Sequence, residues 1–295
     1  MVRARTLEKR QKAIRNIQKI TSTMGLIATA RFKKAWNRVQ TASEYLGGLF
    51  RLLQDLAKVG PAPAHPLWDA KGQTHRLLLL VLSSNRGLCG GYHAAVVRHS
   101  MERLQQLHAE GWQVLVEVSG KRAASALRFR HVPIQTVHGH LADRPQWEPI
   151  EVLAQRYLEE FRQGAWDRLE LIYTSSETVG RQRLKTELLL PLPKPEPVEA
   201  QLALADPKAW DLYPSAQAIV EELLPRFFKV RLFVCFLQAA LSEQIARMFA
   251  MKTATENTEK MLHRLTLAHH RARQSQITAE ILEVLSGAEA LEQRR

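Results

Sequence analysis

No proline precedes Pro61, and from Thr6 to about Val59 apolar residues return at helical spacing. Ala28, Phe32, Ala35, Val39, Ala42, Leu46, Leu49, Leu53 and Leu56 alternate steps of four and three, the seam of a coiled coil. Before them, Leu7, Ile14, Ile17, Ile20 and Met24 form a related stripe that is displaced in register, with Gly25 near the displacement. Gly47 and Gly48 each cost a helix about 1 kcal/mol relative to Ala, which makes them the place for a bend or break. The far end of the chain repeats the pattern. Between Pro225 and Gly287 about 60 residues pass without Gly or Pro, which as one helix would reach about 90 Å.

That second seam runs through Val230, Val234, Leu237, Leu241, Ile245 and Met248 and thins over the polar TATENTEK, Thr253 to Lys260. It resumes at Met261, Leu265, Ala268 and Ala272, with Ile277, Ile281 and Val284 near the end. Met248, Phe249 and Met251 read as core. Two long helices at opposite ends of a chain pack most simply as an antiparallel coiled coil, each burying the seam of the other.

The middle has a different texture. Leu77 to Leu82 is a fully buried strand candidate, Tyr92 to Ala109 a helix, Gln113 to Val118 a strand and Lys121 to Phe129 a helix. Val132 to Val137 reads as a short strand, Pro149 to Arg162 as a helix, Leu169 to Thr174 as a strand and Leu184 to Leu190 as an edge strand. Strands alternating with helices define an α/β, Rossmann-like domain with a largely parallel sheet. The organisation expected is an N-terminal helix over 1–60, the α/β domain over 76–190, a proline-rich linker over 191–217 and a C-terminal helix over 218–286.

Charge and composition narrow the partners. The formal charge is +13, and the first 40 residues hold 11 Lys or Arg against the single acid Glu8. Such a basic helix suits nucleic acid, an anionic membrane surface or an acidic protein groove, and composition does not choose among them. The two cysteines, Cys89 and Cys235, are too few for a secreted disulfide framework and fit a reducing compartment. No apolar run approaches the roughly 20 residues that span a bilayer. The Arg-rich N-terminus has Glu8 and continues directly into helix, so it reads as mature structure rather than a removed leader.

The strand candidate at Leu77 to Leu82 leads into SSNRGLCGG, and a glycine-rich turn after a buried strand is how many folds cradle a phosphate. This loop has no lysine, so it is not a Walker loop. Gly87, Gly90 and Gly91 do not have the Gly-x-Gly-x-x-Gly spacing of a dinucleotide site. The loop with Arg86, Gly87, Cys89, Gly90 and Gly91 therefore reads as a tight structural turn, and Cys89 as a buried inert thiol. His131, His138 and His140, like His269 and His270, lack metal-ligand spacing, and no catalytic constellation emerges, so no metal and no cofactor are expected. The polar cluster of RARQSQIT, with Arg271, Arg273, Gln274, Gln276 and Thr278, is either the wet face of the helix or a surface for a partner.

Five segments in order carry a resemblance over essentially the whole chain: IRNIQKITSTMGLIATARFKKAWNRVQ, SSNRGLCGGYHAAV, YTSSE, LSEQIARMFAMKTATENTEKM and ARQSQITAEILEVLSGAEAL. They resemble the γ subunit of the F-type ATP synthase. The resemblance implies a central rotor shaft inside a hexamer of three α and three β subunits, with the α/β domain at its foot beside the ε subunit and the membrane c-ring. It implies mechanical coupling of ion flow to ATP synthesis or hydrolysis on α and β, no catalytic residue on this chain, and a peripheral place on the cytoplasmic side of the inner membrane. Carried over by motif, Arg273, Gln274 and Thr278 would engage β near one end of the shaft. Met24, Arg31, Lys33 and Lys34 would face β from the N-terminal helix.

The chain departs from the family pattern at Asn85, where Asp is usual, at Glu256, where Asp is usual, and in WDLYPS, which lacks a Glu between Tyr213 and Pro214. The last departure bears on Trp210, Asp211 and Tyr213, the residues that match the foot near ε and the c-ring. The rival readings are a γ-like scaffold outside the synthase and a basic nucleic-acid-binding coiled coil. The second is weakened because the basic face has no aromatic platform, so no nucleic acid is expected.

Overall fold

A computed structural model of the chain describes residues 4–59, 65–68, 74–178, 180–194, 213 and 215–292. The chain opens with helix α1 (Ala4–Val59) and closes with helix α5 (Ala216–Glu292). Between them lie β1 (Arg76–Leu82), α2 (Tyr92–Ala109), β2 (Gln113–Ser119), α3 (Lys121–Phe129), β3 (Thr136–Val137), α4 (Trp147–Gln163), β4 (Arg168–Thr178) and β5 (Arg181–Leu190). The sheet order is β3-β2-β1-β4-β5, parallel except for the antiparallel β4–β5 hairpin at the edge. The chain forms two compact units, Met1–Ala28 with Met248–Arg295, and Thr29–Arg247.

In the larger unit β1 explains its own sequence. Leu78, Leu80 and Leu82 point into a core with Ile150, Tyr157 and Phe161 of α4, Phe228 of α5 and Leu49 and Leu53 of α1. Leu77, Leu79 and Val81 point to the opposite face, into a core with Val96, Leu104 and Leu107 of α2 and Ala123 and Leu127 of α3. A central parallel strand covered on both faces has no polar side to show, hence the unbroken apolar run. α1 and α5 also meet in this unit, with Val39 clustered against Leu237, Leu241 and Ile245 and Phe50 stacked on Phe227 at 6.0 Å. Numbers rise on one helix as they fall on the other, so the pair is antiparallel.

The smaller unit is antiparallel too, but its seam is polar. Thr255 Oγ1 donates to Thr21 Oγ1 at 3.0 Å, and Gln18 Nε2 donates to Glu259 at 3.3 Å. Leu7, Gln11, Thr21 and Ala28 are buried, whereas Ile17 and Ile20 are 45% and 58% exposed. The displaced stripe expected from the sequence is therefore corrected. The seam keeps one register through Leu7, Gln11, Ile14, Gln18, Thr21, Gly25 and Ala28, and apolar counting missed it because Gln11, Gln18 and Thr21 occupy seam positions. On α5 the seam uses Leu262, Leu265, His269 and Ala272, while Met261 and Ala268 are exposed. Met251 is core, but Phe249 is 46% exposed.

Three strands differ from expectation by more than one residue: β3, β4, and β5, which begins at Arg181 rather than Leu184. Residues 130–132 are taken up in closing α3, where Arg130 and Val132 donate N–H to Leu127 O at 3.0 and 3.1 Å, leaving β3 only two residues. β4 runs on to Thr178 because its hairpin partner β5 starts at Arg181 and pairs with that extension. Residues 195–212 and 214, within the expected linker, lie outside the described residues.

Gly47 and Gly48 do not break α1, and a Cβ added at either meets nothing within 4 Å. Each glycine thus only lowers helix stability. Gly47→Ala and Gly48→Ala are expected to stabilise the isolated chain by about 0.8 kcal/mol each in chemical denaturation.

Candidate functional site

In open parallel sheets a ligand sits beyond the carboxyl ends of the strands, where the chain reverses its direction of travel across the sheet. Here that point lies between β1, from which the chain moves to β2 and β3, and β4 on the other side. The SSNRGLCGG loop leaves β1 at this place.

The crevice is filled by α5. Ser242 Oγ donates to Thr174 O at 2.8 Å, and Gln182 Nε2 donates to Ser242 O at 2.8 Å. Tyr92 OH donates to Ala239 O at 3.3 Å, and the Ser176 N–H donates to Gln238 Oε1 at 3.3 Å. Arg247, 5% exposed, pairs with Glu243 and donates to Arg86 O at 3.4 Å and Gly87 O at 3.3 Å. A phosphate loop offers N–H groups, but toward α5 this loop offers carbonyls to a guanidinium. The Asn85 side chain is engaged as well: its Nδ2 donates to Gly139 O at 2.7 Å, and its Oδ1 accepts the Lys121 N–H at 3.0 Å. An Asp at position 85 would have no N–H to give Gly139.

Geometry and charge at the loop follow from this packing. Leu88 at φ 64 and Gly90 at φ 58 turn the chain through the left-handed region toward α2. Cys89 is 2% exposed, and burial pushes its thiol pKa up against the weaker pull of Arg247, so it is a protonated, inert thiol. Burial also raises the Glu243 carboxyl, and the Arg247 guanidinium opposes that rise. His93 Nδ1 shares a hydrogen bond with Ser83 Oγ at 2.9 Å and its Nε2 lies 3.0 Å from Arg86 O; burial lowers its pKa. These groups hold the loop closed.

A second polar centre went unseen in the sequence. Glu117, in the middle of β2 and 1% exposed, accepts from Tyr157 OH at 2.6 Å and from Arg156 Nη2 at 2.7 Å, and lies 2.7 Å from His138 Nε2. Burial alone would raise its pKa, but hydrogen bonds from His138, Arg156 and Tyr157 outweigh it and hold the carboxyl at about 2. His138 is thereby committed to Glu117. Among the described residues no three His, Cys, Asp or Glu side chains gather as a metal site.

The other expected site residues are spread along the helices. Arg273, Gln274 and Thr278 are exposed on α5, and Thr278 Oγ1 turns back to donate to Gln274 O at 2.9 Å. Met24 and Arg31 are half-buried on α1, whereas Lys33 and Lys34 are exposed. Arg86, Gly87, Cys89, Gly90 and Gly91 are all in the closed loop. Tyr213 is 91% exposed, and Trp210 and Asp211 lie outside the described residues.

Fold and crevice together define a class: a Rossmann-like domain whose ligand crevice is given over to one of two long, paired terminal helices. Comparison with known proteins gives the family. Residues 3–291 match the ATP synthase family. The ATP synthase gamma chain of Rhodopirellula baltica is 44% identical over 295 residues, covering 99% of this chain and 100% of that one. The gamma chain of Leptospira biflexa serovar Patoc is 32% identical over 292 residues, with 99% and 100% covered. The chain belongs to the ATP synthase gamma chain family. The fold is shared with a chain of the Euglena gracilis mitochondrial ATP synthase, OSCP/F1/c-ring assembly, at TM-score 0.66, 19% identity and coverage of 98% and 94%. A chain of the Tetrahymena thermophila mitochondrial central stalk/c-ring structure aligns at TM-score 0.56 and 20% identity, covering 80% and 99%.

Proposed function

We propose that this chain is the central rotor stalk of an F-type ATP synthase, coupling ion flow through a membrane c-ring to ATP synthesis or hydrolysis on three α and three β subunits. It is non-catalytic: the chemistry belongs to α and β, and the filled crevice and the lysine-free loop support that division. Coupling arises by differential contact. A shaft with unlike faces stabilises a different conformation in each of three surrounding β subunits, and each step of rotation shifts those populations. The observation that carries this reading, beside the family, is on α5: the helix is gripped at Gln238–Arg247 by the sheet domain and leaves Arg273, Gln274 and Thr278 exposed.

Those three residues, with Met24, Arg31, Lys33 and Lys34, contact β in this reading. Tyr213, with Trp210 and Asp211, belongs to the foot that meets ε and the c-ring. Among the described residues no helix is long and apolar enough to cross a membrane, which suits a subunit held peripherally through the c-ring on the cytoplasmic face of the inner membrane.

The test is co-assembly with α and β from the same source. A complex with one copy of this chain per three αβ pairs is expected. Arg273→Ala with Gln274→Ala is expected to lower its ATPase activity about fivefold or more, the low end of couplings between communicating sites. Failure of the folded chain to co-assemble overturns the stalk reading, and full activity in the double variant overturns the assignment of these contacts.

A further inference from the structure

Within the larger unit a cleft of about 420 Å³ opens between α1, the 143–146 turn and α5. Arg31, Lys34, Arg38 and Arg144 line it, against the single acid Asp143. Arg38 spends one donor on Pro145 O at 2.6 Å, which fixes its guanidinium at the wall. Arg31, Lys34 and Arg144 make no ion pair among the described residues, while the Asp143 charge is shared with Arg86 at 3.7 Å. Four cations held in one concavity repel each other until an anion neutralises them.

A second observation at the same place points to a ligand. Gln244 of α5 lines the cleft, is 6% exposed, and its Oε1 has no hydrogen-bond partner among the described residues. A buried amide left unpaired is costly, and a half-turn of the side chain presents its N–H₂ donors in place of the oxygen. Arginine forks match phosphate oxygens in pairs, and the volume lies in the range of small-molecule sites.

The cleft adjoins a groove of about 670 Å³ lined by Tyr45, Trp147 and Phe233, and the two share Arg38 and Leu237. Cations beside aromatic rings suit a ligand with a phosphate end and a flat end.

We propose that the cationic cleft binds a di- or triphosphate group, inorganic or carried by a nucleotide. The site is separate from the SSNRGLCGG loop, but its Arg31 and Lys34 are residues that contact β in the stalk reading, so it is tested on the isolated full-length chain, where β is absent and the outcome does not depend on that reading. The experiment is calorimetric titration at low salt with pyrophosphate and with ATP, using wild type, Lys34→Ala with Arg144→Ala, and Lys9→Ala with Lys12→Ala. All four substituted residues are exposed, so folding is preserved.

Saturable one-to-one binding to wild type is expected, weakened more than about tenfold in the Lys34/Arg144 variant and unchanged in the Lys9/Lys12 variant. ATP binding tighter than pyrophosphate assigns the aromatic groove to the base, and equal affinity assigns the site to inorganic polyphosphate. No saturable binding overturns the proposal. So does equal loss in both variants, which would mean diffuse attraction to a basic surface, or full affinity in the Lys34/Arg144 variant. Binding of an acidic peptide but of neither phosphate compound overturns it in favour of a protein partner.

Discussion

Gly120→Ala is expected to cost more than about 4 kcal/mol and to leave little folded protein. Gly120 stands between β2 and α3 at φ +106, where an L side chain is strained. A Cβ there would lie 2.7 Å from Ser83 C, 2.7 Å from Ser84 N and 2.9 Å from Ser83 O, all backbone atoms with no rotamer to escape into. The strain alone is of the order of 1–3 kcal/mol. Relief of the clash must move the Ser83–Ser84 backbone, which breaks the Ser83 N–H bond to Ser119 O at 2.8 Å and the Arg122 N–H bond to Ser84 O at 3.2 Å. It would also disturb the loop that grips Arg247. Gly111→Ala is the control, since Gly111 has φ +82 but nothing within 4 Å of its Cβ. Chemical denaturation of the two variants should separate them by several kcal/mol, and equal, small losses would contradict the close approach of the two strand ends.

Which of these features the sequence disclosed depended on whether their causes were local. β1 was legible because a strand covered on both faces must be apolar throughout, and LLLLVL permits little else. α2 and α3 were legible to the residue from their glycine boundaries, Gly91 and Gly120. The antiparallel pairing of α1 with α5 followed from matching seams, but counting apolar residues placed Ile17 and Ile20 inside. The seam there is built from Gln18 and Thr21 against Glu259 and Thr255, and a polar seam leaves no apolar period to count. The filled crevice was out of reach for a different reason. Arg247 is 161 residues from Arg86, and only the folded sheet brings them together. The motifs of the loop excluded a phosphate site by what they lack, whereas the structure supplies the positive account, in which carbonyls of Arg86 and Gly87 receive a guanidinium. The polar cluster with Arg273, Gln274 and Thr278 stood out in the sequence as a wet face or a partner surface, but its assignment to β came from resemblance alone, and the exposure of these residues on α5 fits both readings of the cluster.

Glu117→Gln is the second large effect expected, and its signature is a pH dependence. In the folded chain the Glu117 carboxyl is held at about 2, below the 4.5 of a free glutamate, so its contribution to stability is complete above pH 4.5 and is lost as pH falls through 4.5 toward 2. A shift of that size corresponds to about 3 kcal/mol, and because the Arg156 side chain is 36% exposed, water screens part of the attraction and about 2 kcal/mol is the contribution expected. Glutamine keeps one acceptor oxygen but no charge. Tyr157 OH and Arg156 then compete for that oxygen in the core, and the loss at pH 7 should reach about 3 kcal/mol, at the low end for a broken buried pair because Arg156 reaches water. Other carboxylates titrate in the same range, so the informative quantity is the difference between wild type and Glu117→Gln in denaturant midpoints at pH 7, 4.5 and 3. That difference should be widest at pH 7 and shrink steadily on acidification, as wild type loses the charge that the variant never had. A gap that stays constant to pH 3 would mean that Glu117 acts through its shape and single hydrogen bonds, and that the charge buried in the middle of β2 contributes nothing to holding the sheet against α4.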